Sequence, residues 1–279
     1  MGDVKFRHGL NSGQLAVLEL VYKYRFCSVD LLLHSLGLRD SSSLYRKLVR
    51  LCEQGYIGKR YDSSYKLLGR SAAYYLLPKG FRALQKLEKY QDLITDATIK
   101  ASYKDKTLKE DFIDHNLAVY AASFEFMKLH STLKFFAKRE LVPYSYFPNQ
   151  RPDGFLSIRI NGKDEEPLRF FVDYIEDSMP RFILDKKVKD YVTFFEEGGW
   201  DSTGRDLPTM LLLCESPRLE MRVQRLVSRK LYSLSSDEPL YYTTNLELLN
   251  NASKKKQVIW TSIDDSDEVL ELAAISVNQ

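Results

Sequence analysis

The chain has 279 residues, 44% of them hydrophobic and 28% charged, which is the balance of a soluble globular protein large enough for one big domain or two ordinary ones. No apolar run approaches the ~20 residues of a membrane span, and the first residues lack the apolar core of a secretory signal, so a cytoplasmic protein with no membrane partner is expected. The net charge is only +3, yet residues 1–90 carry 16 Lys and Arg against 7 Asp and Glu, while the remainder is net acidic by six charges. A basic module facing a polyanion, joined to a more neutral body, is the organisation this asymmetry suggests. The three cysteines, Cys27, Cys52 and Cys214, are far apart in apolar surroundings and form no zinc-type spacing, so they read as structural thiols.

In chain order, Gly13–Arg25 repeats apolar residues at Leu15, Leu18, Val21 and Tyr22, the spacing of a helix with one buried face. Ser28 is placed to cap a second short helix that Gly37 ends. Asp40–Ser43 opens a third, with Leu44, Leu48, Leu51 and Cys52 on its apolar side and Gly55 as its stop. Tyr56–Tyr61 and Ala72–Leu77 read as two short strands around a polar, basic loop holding Ser63, Ser64, Lys66, Gly69 and Arg70. Pro78 cannot continue a ladder, and a helix resumes at Lys79–Leu87. Three helices, a hairpin wing and a following helix predict a winged helix-turn-helix domain over residues 1–90.

That architecture sends its third helix into the major groove of double-stranded DNA and lays its wing along the backbone. Ser42, Tyr45, Arg46, Lys47 and Arg50 on the third helix, with Lys59, Arg60, Lys66 and Arg70 in and around the wing, are the candidate DNA-binding residues. Arginine reads guanine with two hydrogen bonds, lysine mostly holds phosphate, and Ser41, Ser42 and Ser43 can donate to phosphates near the helix start. The bland alternative is a winged helix that contacts protein, its charges merely solvated.

Residues 91–111 are polar with weak periodicity and predict a connector. A helix follows over Phe112–Leu129, striped by Leu117, Tyr120, Ala121, Phe124 and Met127. Pro152-Asp153 then opens a strand read as alternating at Phe155, Ile158 and Ile160. LRFFVDYIED predicts a compact strand with Asp173 in its middle, and RFILDKKVKDYVTFFEE a helix carrying Lys186, Lys187 and Lys189. LPTMLLLCES has the continuous apolar run of a buried strand. Another helix and a strand near Pro239–Thr244 complete a β-α alternation. An α/β or α+β domain with a mixed sheet over residues 112–279 is the expectation. Of the tail, Asn250–Gln279, the sequence says only that it is acidic and then apolar.

Two strand aspartates and a nearby lysine can form a metal-nuclease site. Asp153 and Asp173 would hold Mg²⁺ or Mn²⁺, which takes oxygen ligands, and Lys187 would position the attacking water. The place two residues after Asp173, where a PD…(D/E)xK motif carries lysine, is Ile175. The competing account is a Pro-Asp turn and a buried aspartate satisfied by a basic neighbour.

The order of these motifs, including HNLAV at His115–Val119, the PDG turn at Pro152–Gly154, Lys187 and Tyr191 on one helix, and LPTMLLLCESPR at Leu207–Arg218, resembles the replication-relaxation family of mobile-element proteins, related to MOBC-type plasmid relaxases. The resemblance implies a winged helix fused to a restriction-endonuclease-like fold, and work at an origin: binding it, relaxing it or nicking it. In the relaxase branch, Asp153 and a Glu-x-acid pair on the next strand would be the catalytic acids. Asp173 fills the first place of that pair and Ile175 the second, with Glu176 and Asp177 beyond it, out of phase.

Three functions stay open on the sequence: a mobile-element DNA-processing protein that nicks or recruits other mobilisation or replication proteins, a non-catalytic transcription or replication regulator, and a protein-interaction module. The second admits a homodimer through the body.

Overall fold

The computed structural model describes residues 9–67, 69–160, 166–236, 238–252, 259–264 and 268–272, apart from the side chains of Ser63 and Lys66. The fold is mixed α+β, with a two-stranded antiparallel sheet and a seven-stranded mixed sheet. Two compact units, residues 1–117 and 118–279, divide it.

The first unit begins with α1 (Ser12–Tyr24), α2 (Val29–Ser35) and α3 (Ser41–Glu53). Each starts on a polar cap that satisfies amide groups the first helical turn leaves open. The carboxamide of Asn11 accepts from Gln14 N, Ser28 Oγ accepts from Leu31 N, and the carboxylate of Asp40 accepts from Ser42 N and Ser43 N. α3 ends at Gly55, whose φ of +72° suits a residue without Cβ. There Tyr56 N bonds Leu51 O and Gly55 N bonds Cys52 O, closing the last turn.

Next come β1 (Ile57–Arg60), the short helix α4 (Ser63–Leu67) and β2 (Ala73–Leu76). The strands pair antiparallel from Ile57 opposite Leu76 to Arg60 opposite Ala73. The segment expected as an irregular loop thus contains a helical turn, opened by Asp62, whose carboxylate accepts from Ser64 N. α5 (Pro78–Gln85) begins with proline at a position that needs no amide hydrogen. Val17, Leu18, Val21, Leu32, Leu44, Leu48, Leu51, Leu76, Phe81 and Leu84 are fully buried. At roughly 1.5–3 kcal/mol for each large apolar side chain removed from water, this packing and not helix propensity holds the short elements together.

Residues 91–111, expected as a connector, are mostly helical. α6 (Glu88–Gln91), α7 (Asp96–Ala101) and a 3-10 turn (Ser102–Lys106) lie in the first unit with Ile94 and Ile99 buried. The fully buried carboxylate of Asp105 receives two hydrogen bonds from Arg25, at 2.7 and 3.1 Å. So few apolar anchors produce no periodicity, and the buried ion pair joins residues eighty apart in sequence. The division between units falls inside α8 (Glu110–Leu129).

In the second unit the sheet order follows the chain: β3 (Lys134–Ala137), β4 (Gly154–Ile158), β5 (Leu168–Ile175), β6 (Thr209–Cys214), β7 (Tyr241–Asn245), β8 (Trp260–Ser262) and β9 (Val269–Leu270). β5, β6 and β7 are parallel and the outer pairs antiparallel. The short α9 (Lys138–Leu141) follows β3. α10 (Arg181–Glu196) connects β5 to β6, α11 (Pro217–Leu234) connects β6 to β7, and α12 (Leu246–Ala252) follows. Every residue of β6 and β7 is buried, as central parallel strands require.

On one sheet face Phe171, Ile175, Met210, Leu212 and Tyr241 pack with Leu184, Val188 and Tyr191 of α10 and Leu219, Val223 and Val227 of α11. β4 stops at Ile158, so the alternation read through Ile160 is not kept. Leu156 and Ile158 are the buried pair, Phe155 lies on the other face against Phe147 and Phe171, and Ile160 is exposed beyond the strand. The described parts of the tail supply β8 and β9.

Candidate functional site

The strongest candidate surface lies on α3. Leu44, Leu48 and Leu51 turn inward, which forces Ser42, Tyr45, Arg46, Val49 and Arg50 onto the exposed side. Arg46 and Arg50 enter no ion pair among the described residues, and Tyr45 is 50% exposed. Lys47 behaves differently. It stands three residues after Leu44 and four before Leu51, is half-buried, and sends its Nζ back against Gly13, where an added Cβ would meet it at 2.6 Å. The reading that grouped Lys47 with the outward cations therefore does not hold, and its helical phase carried the sign.

The N-terminus of α3 is also occupied. Ser42 N and Ser43 N, which a phosphate would otherwise meet, already serve Asp40. Those hydrogen bonds, backbone first and then the Ser42 side chain, hold the Asp40 carboxyl below its usual range.

The four wing cations separate in the same way. Lys59 is exposed, with its ammonium 4.8 Å from the centre of the Tyr61 ring. The side chain of Lys66 lies outside the described residues. Arg60 donates to Lys106 O at 3.0 Å and Leu108 O at 2.9 Å and pairs with Glu110. Arg70 pairs with Asp114, lies 3.9 Å from Glu110 and covers the Tyr65 ring at 5.0 Å. Tyr65 donates its hydroxyl to Glu110, and burial together with that carboxylate pushes its pKa up to about 12. Arg60 and Arg70, assigned to DNA from sequence, are thus engaged by acids at the start of α8. Glu110 was not anticipated, and Asp114, expected only as a cap for this helix, pairs with Arg70 instead, because partners some fifty positions apart leave no local signal.

The second unit brings Asp153, Asp173 and Lys187 together. Asp153 stands just before β4, and the β4–β5 register, with Gly154 opposite Val172, sets it beside Asp173. The strands bind each other's carboxylates: Asp153 N donates to Asp173 Oδ1 and Tyr174 N to Asp153 Oδ2, both at 3.2 Å. Lys187, on the buried side of α10, places Nζ 2.6 Å from Asp173 Oδ1 and 3.7 Å from Asp153 Oδ2. Lys138, half-exposed and not anticipated from sequence, reaches Asp153 Oδ1 at 3.1 Å.

Asp173 is 0% exposed, Asp153 4% and Lys187 6%. Burial alone would depress the Lys187 pKa, but Asp153 and Asp173 outweigh it and hold the ammonium above its ordinary range. Burial, reinforced by the same carboxylates, raises Tyr191 well above the usual phenol range, and burial raises Tyr241 likewise.

This arrangement does not fit a divalent cation. The Lys187 ammonium already lies within ion-pair distance of both carboxylates. Asp173 Oδ2 is sealed from solvent, as is the neighbouring Tyr191 hydroxyl. Mg²⁺ keeps several waters and near-octahedral oxygen ligation, and the place for a third acid is the apolar Ile175. Among the described residues no group of three or more His, Cys, Asp or Glu is placed to hold a metal.

Residues 18–206, running from α1 to just before β6, match the model of the replication-relaxation family. This chain belongs to that family. The match spans the exposed face of α3 and all three members of the buried cluster. No curated protein matches this family member. A solved structure of a mutant Lactococcus lactis ZitR resembles it at 16% identity and a TM-score of 0.26, covering 45% of this chain and 82% of that one. Among the described residues, no helix is long and apolar enough to cross a membrane.

Proposed function

We propose that this replication-relaxation protein binds duplex DNA of a replicating or mobile element, using residues 12–85 as a winged helix-turn-helix with α3 in the major groove. The observation that carries this reading is the outward set Ser42, Tyr45, Arg46, Val49 and Arg50, whose two arginines enter no ion pair among the described residues. Arg46 and Arg50 are the base or phosphate readers, and Lys59 supplies the wing contact. Binding titrations against origin DNA test it. Arg46→Ala or Arg50→Ala is expected to weaken specific binding by about 1–3 kcal/mol where the residue reads a base. Unchanged affinity for origin DNA in the double substitution refutes the assignment.

In this proposal the second unit is a restriction-endonuclease-like body in which Lys187 neutralises Asp153 and Asp173 as a structural ion cluster. The competing reading, Mg²⁺- or Mn²⁺-dependent nicking at Asp153 and Asp173, is the one that the Lys187 ion pairs weigh against. Incubating supercoiled origin DNA with the protein and either ion separates the two. The ion-cluster reading expects uncut DNA. A nick abolished by both Asp153→Ala and Asp173→Ala, in variants that still fold, establishes the catalytic one.

A further inference from the structure

We infer that the outer face of α11 is a second DNA-contacting surface, in which Arg218, Arg222, Arg225 and Arg229 grip the phosphate backbone. The rotation of this 18-residue helix is fixed from its inner side. Leu219, Val223, Val227 and Leu231 are buried. The buried carboxylate of Glu220 accepts from Asn245 Nδ2 at 2.6 Å and Thr243 Oγ1 at 3.1 Å, while Gln224 Nε2 donates to Thr243 Oγ1 at 2.8 Å. The four arginines are thereby held toward solvent, and all four are exposed.

Their spacing costs the helix stability if nothing answers it. Arg218 and Arg222 are i,i+4 neighbours, Arg222 and Arg225 i,i+3, and Arg225 and Arg229 i,i+4 again. A helix that needs only a solvated face intersperses acids at these positions, and like charges there repel. The single acid of α11, Glu220, points inward. Arg218 also lies in the first turn, where the helix dipole disfavours a cation. None of the four enters an ion pair among the described residues.

The nearby acids are already bonded at the N-terminal end: Asp177 Oδ1 accepts from Ser216 Oγ, and Glu215 Oε2 from Asp177 N. A hollow of about 670 Å³ opens beside Arg218, Arg222 and Arg225. The stripe also sits in a stretch, residues 91–279, that is net acidic. General basicity for solubility therefore does not account for it.

The ligand chemistry follows from shape. From Arg218 to Arg229 the stripe runs about 16 Å along a rigid rod, at 1.5 Å per residue. A DNA strand presents one phosphate per ~3.4 Å of axis, so several phosphates lie within reach of that length. The guanidinium fork matches phosphate oxygens in pairs. The surface is a backbone grip without base readout, and it rests on the reading that this protein meets duplex DNA.

The test uses the full chain with Arg218→Gln, Arg222→Gln, Arg225→Gln and Arg229→Gln combined, and a second version with lysine at the same four positions. Affinity for origin duplex and for an unrelated duplex is measured across a salt series. At ~0.9 in log–log slope per phosphate contact, the glutamine variant is expected to flatten the salt dependence by about 3 to 4. Affinity for both duplexes should fall by the same factor, with their ratio unchanged. The lysine variant should keep the slope, and Arg225→Gln alone should lower it by about 0.9. A glutamine variant with the wild-type melting temperature and unchanged slopes overturns the proposal. Arg46→Ala with Arg50→Ala should instead collapse the preference for origin DNA. If it does not, the reading of α3 fails while the α11 result still stands.

Discussion

Arg46 and Arg50 on α3 and Lys187 on α10 are all cations on helices beside apolar residues, yet the two regions use them in opposite ways. On α3 the helical phase turns the guanidinium groups into water, where they enter no ion pair among the described residues. On α10 the phase turns the ammonium inward, and two aspartates on neighbouring strands neutralise it. A charge in water can be offered to a ligand at little cost. A charge taken out of water must be matched inside the protein, and removing either partner is then expensive. Arg60 and Arg70 show that surface position alone does not decide the matter, because acids from α8 hold both.

The largest effect is expected of Lys187→Met. It leaves two buried carboxylates facing each other, and a loss of about 3–5 kcal/mol in unfolding free energy is expected by denaturant titration. Acidification should recover part of that loss as one carboxyl takes up a proton, and combining it with Asp153→Asn and Asp173→Asn should recover more. Wild-type stability in Lys187→Met would mean that the cluster is held open for something other than its own neutralisation.

Arg60→Ala comes next. It strands the carbonyls of Lys106 and Leu108 and the Glu110 carboxylate, and about 1–3 kcal/mol of stability should be lost. DNA affinity of the folded protein should change little. Arg46→Ala is the mirror case: binding falls by about 1–3 kcal/mol while stability stays within about 0.5 kcal/mol. Equal effects of the two substitutions on binding would erase the distinction between held and offered cations.

The alkaline limb of the stability curve tests the buried cluster by a separate route. Lys187, Tyr191 and Tyr241 all have pKa values raised in the folded state. Their contribution is therefore present in full below the unfolded values near 10 and is lost as pH rises above them. Melting temperature should decline above about pH 10, and less steeply in Lys187→Met. The smallest effect is expected of Lys47→Ala: its ammonium lies against Gly13, so binding should change by under about 0.5 kcal/mol.

Local chemistry made much of the fold legible. The caps Ser28 and Asp40, the stop at Gly55 and the apolar phases of α1 and α3 act within a few residues and marked those elements closely. β3 and α9 were missed, since elements of four residues are too short to establish a period. Asp153, Asp173 and Lys187 could be singled out because their strands and helix were readable. Their convergence could not be, since it depends on the β4–β5 register and on the face α10 turns to the sheet.

Legible in the sequence was an inventory: a basic first third, three helices, two of them with their caps, a pair of short strands, a β-α alternation, and two strand aspartates with a lysine helix after them. These follow from interactions spanning one to four residues. Which charges are held inside the protein depends on the fold. Glu110 and Asp114 hold Arg60 and Arg70, Lys187 neutralises Asp153 and Asp173, and Glu220 fixes the outward face of α11. The reason is physical: an ion's state is set by burial and by the nearest opposite charge, and folding brings that partner from dozens of residues away.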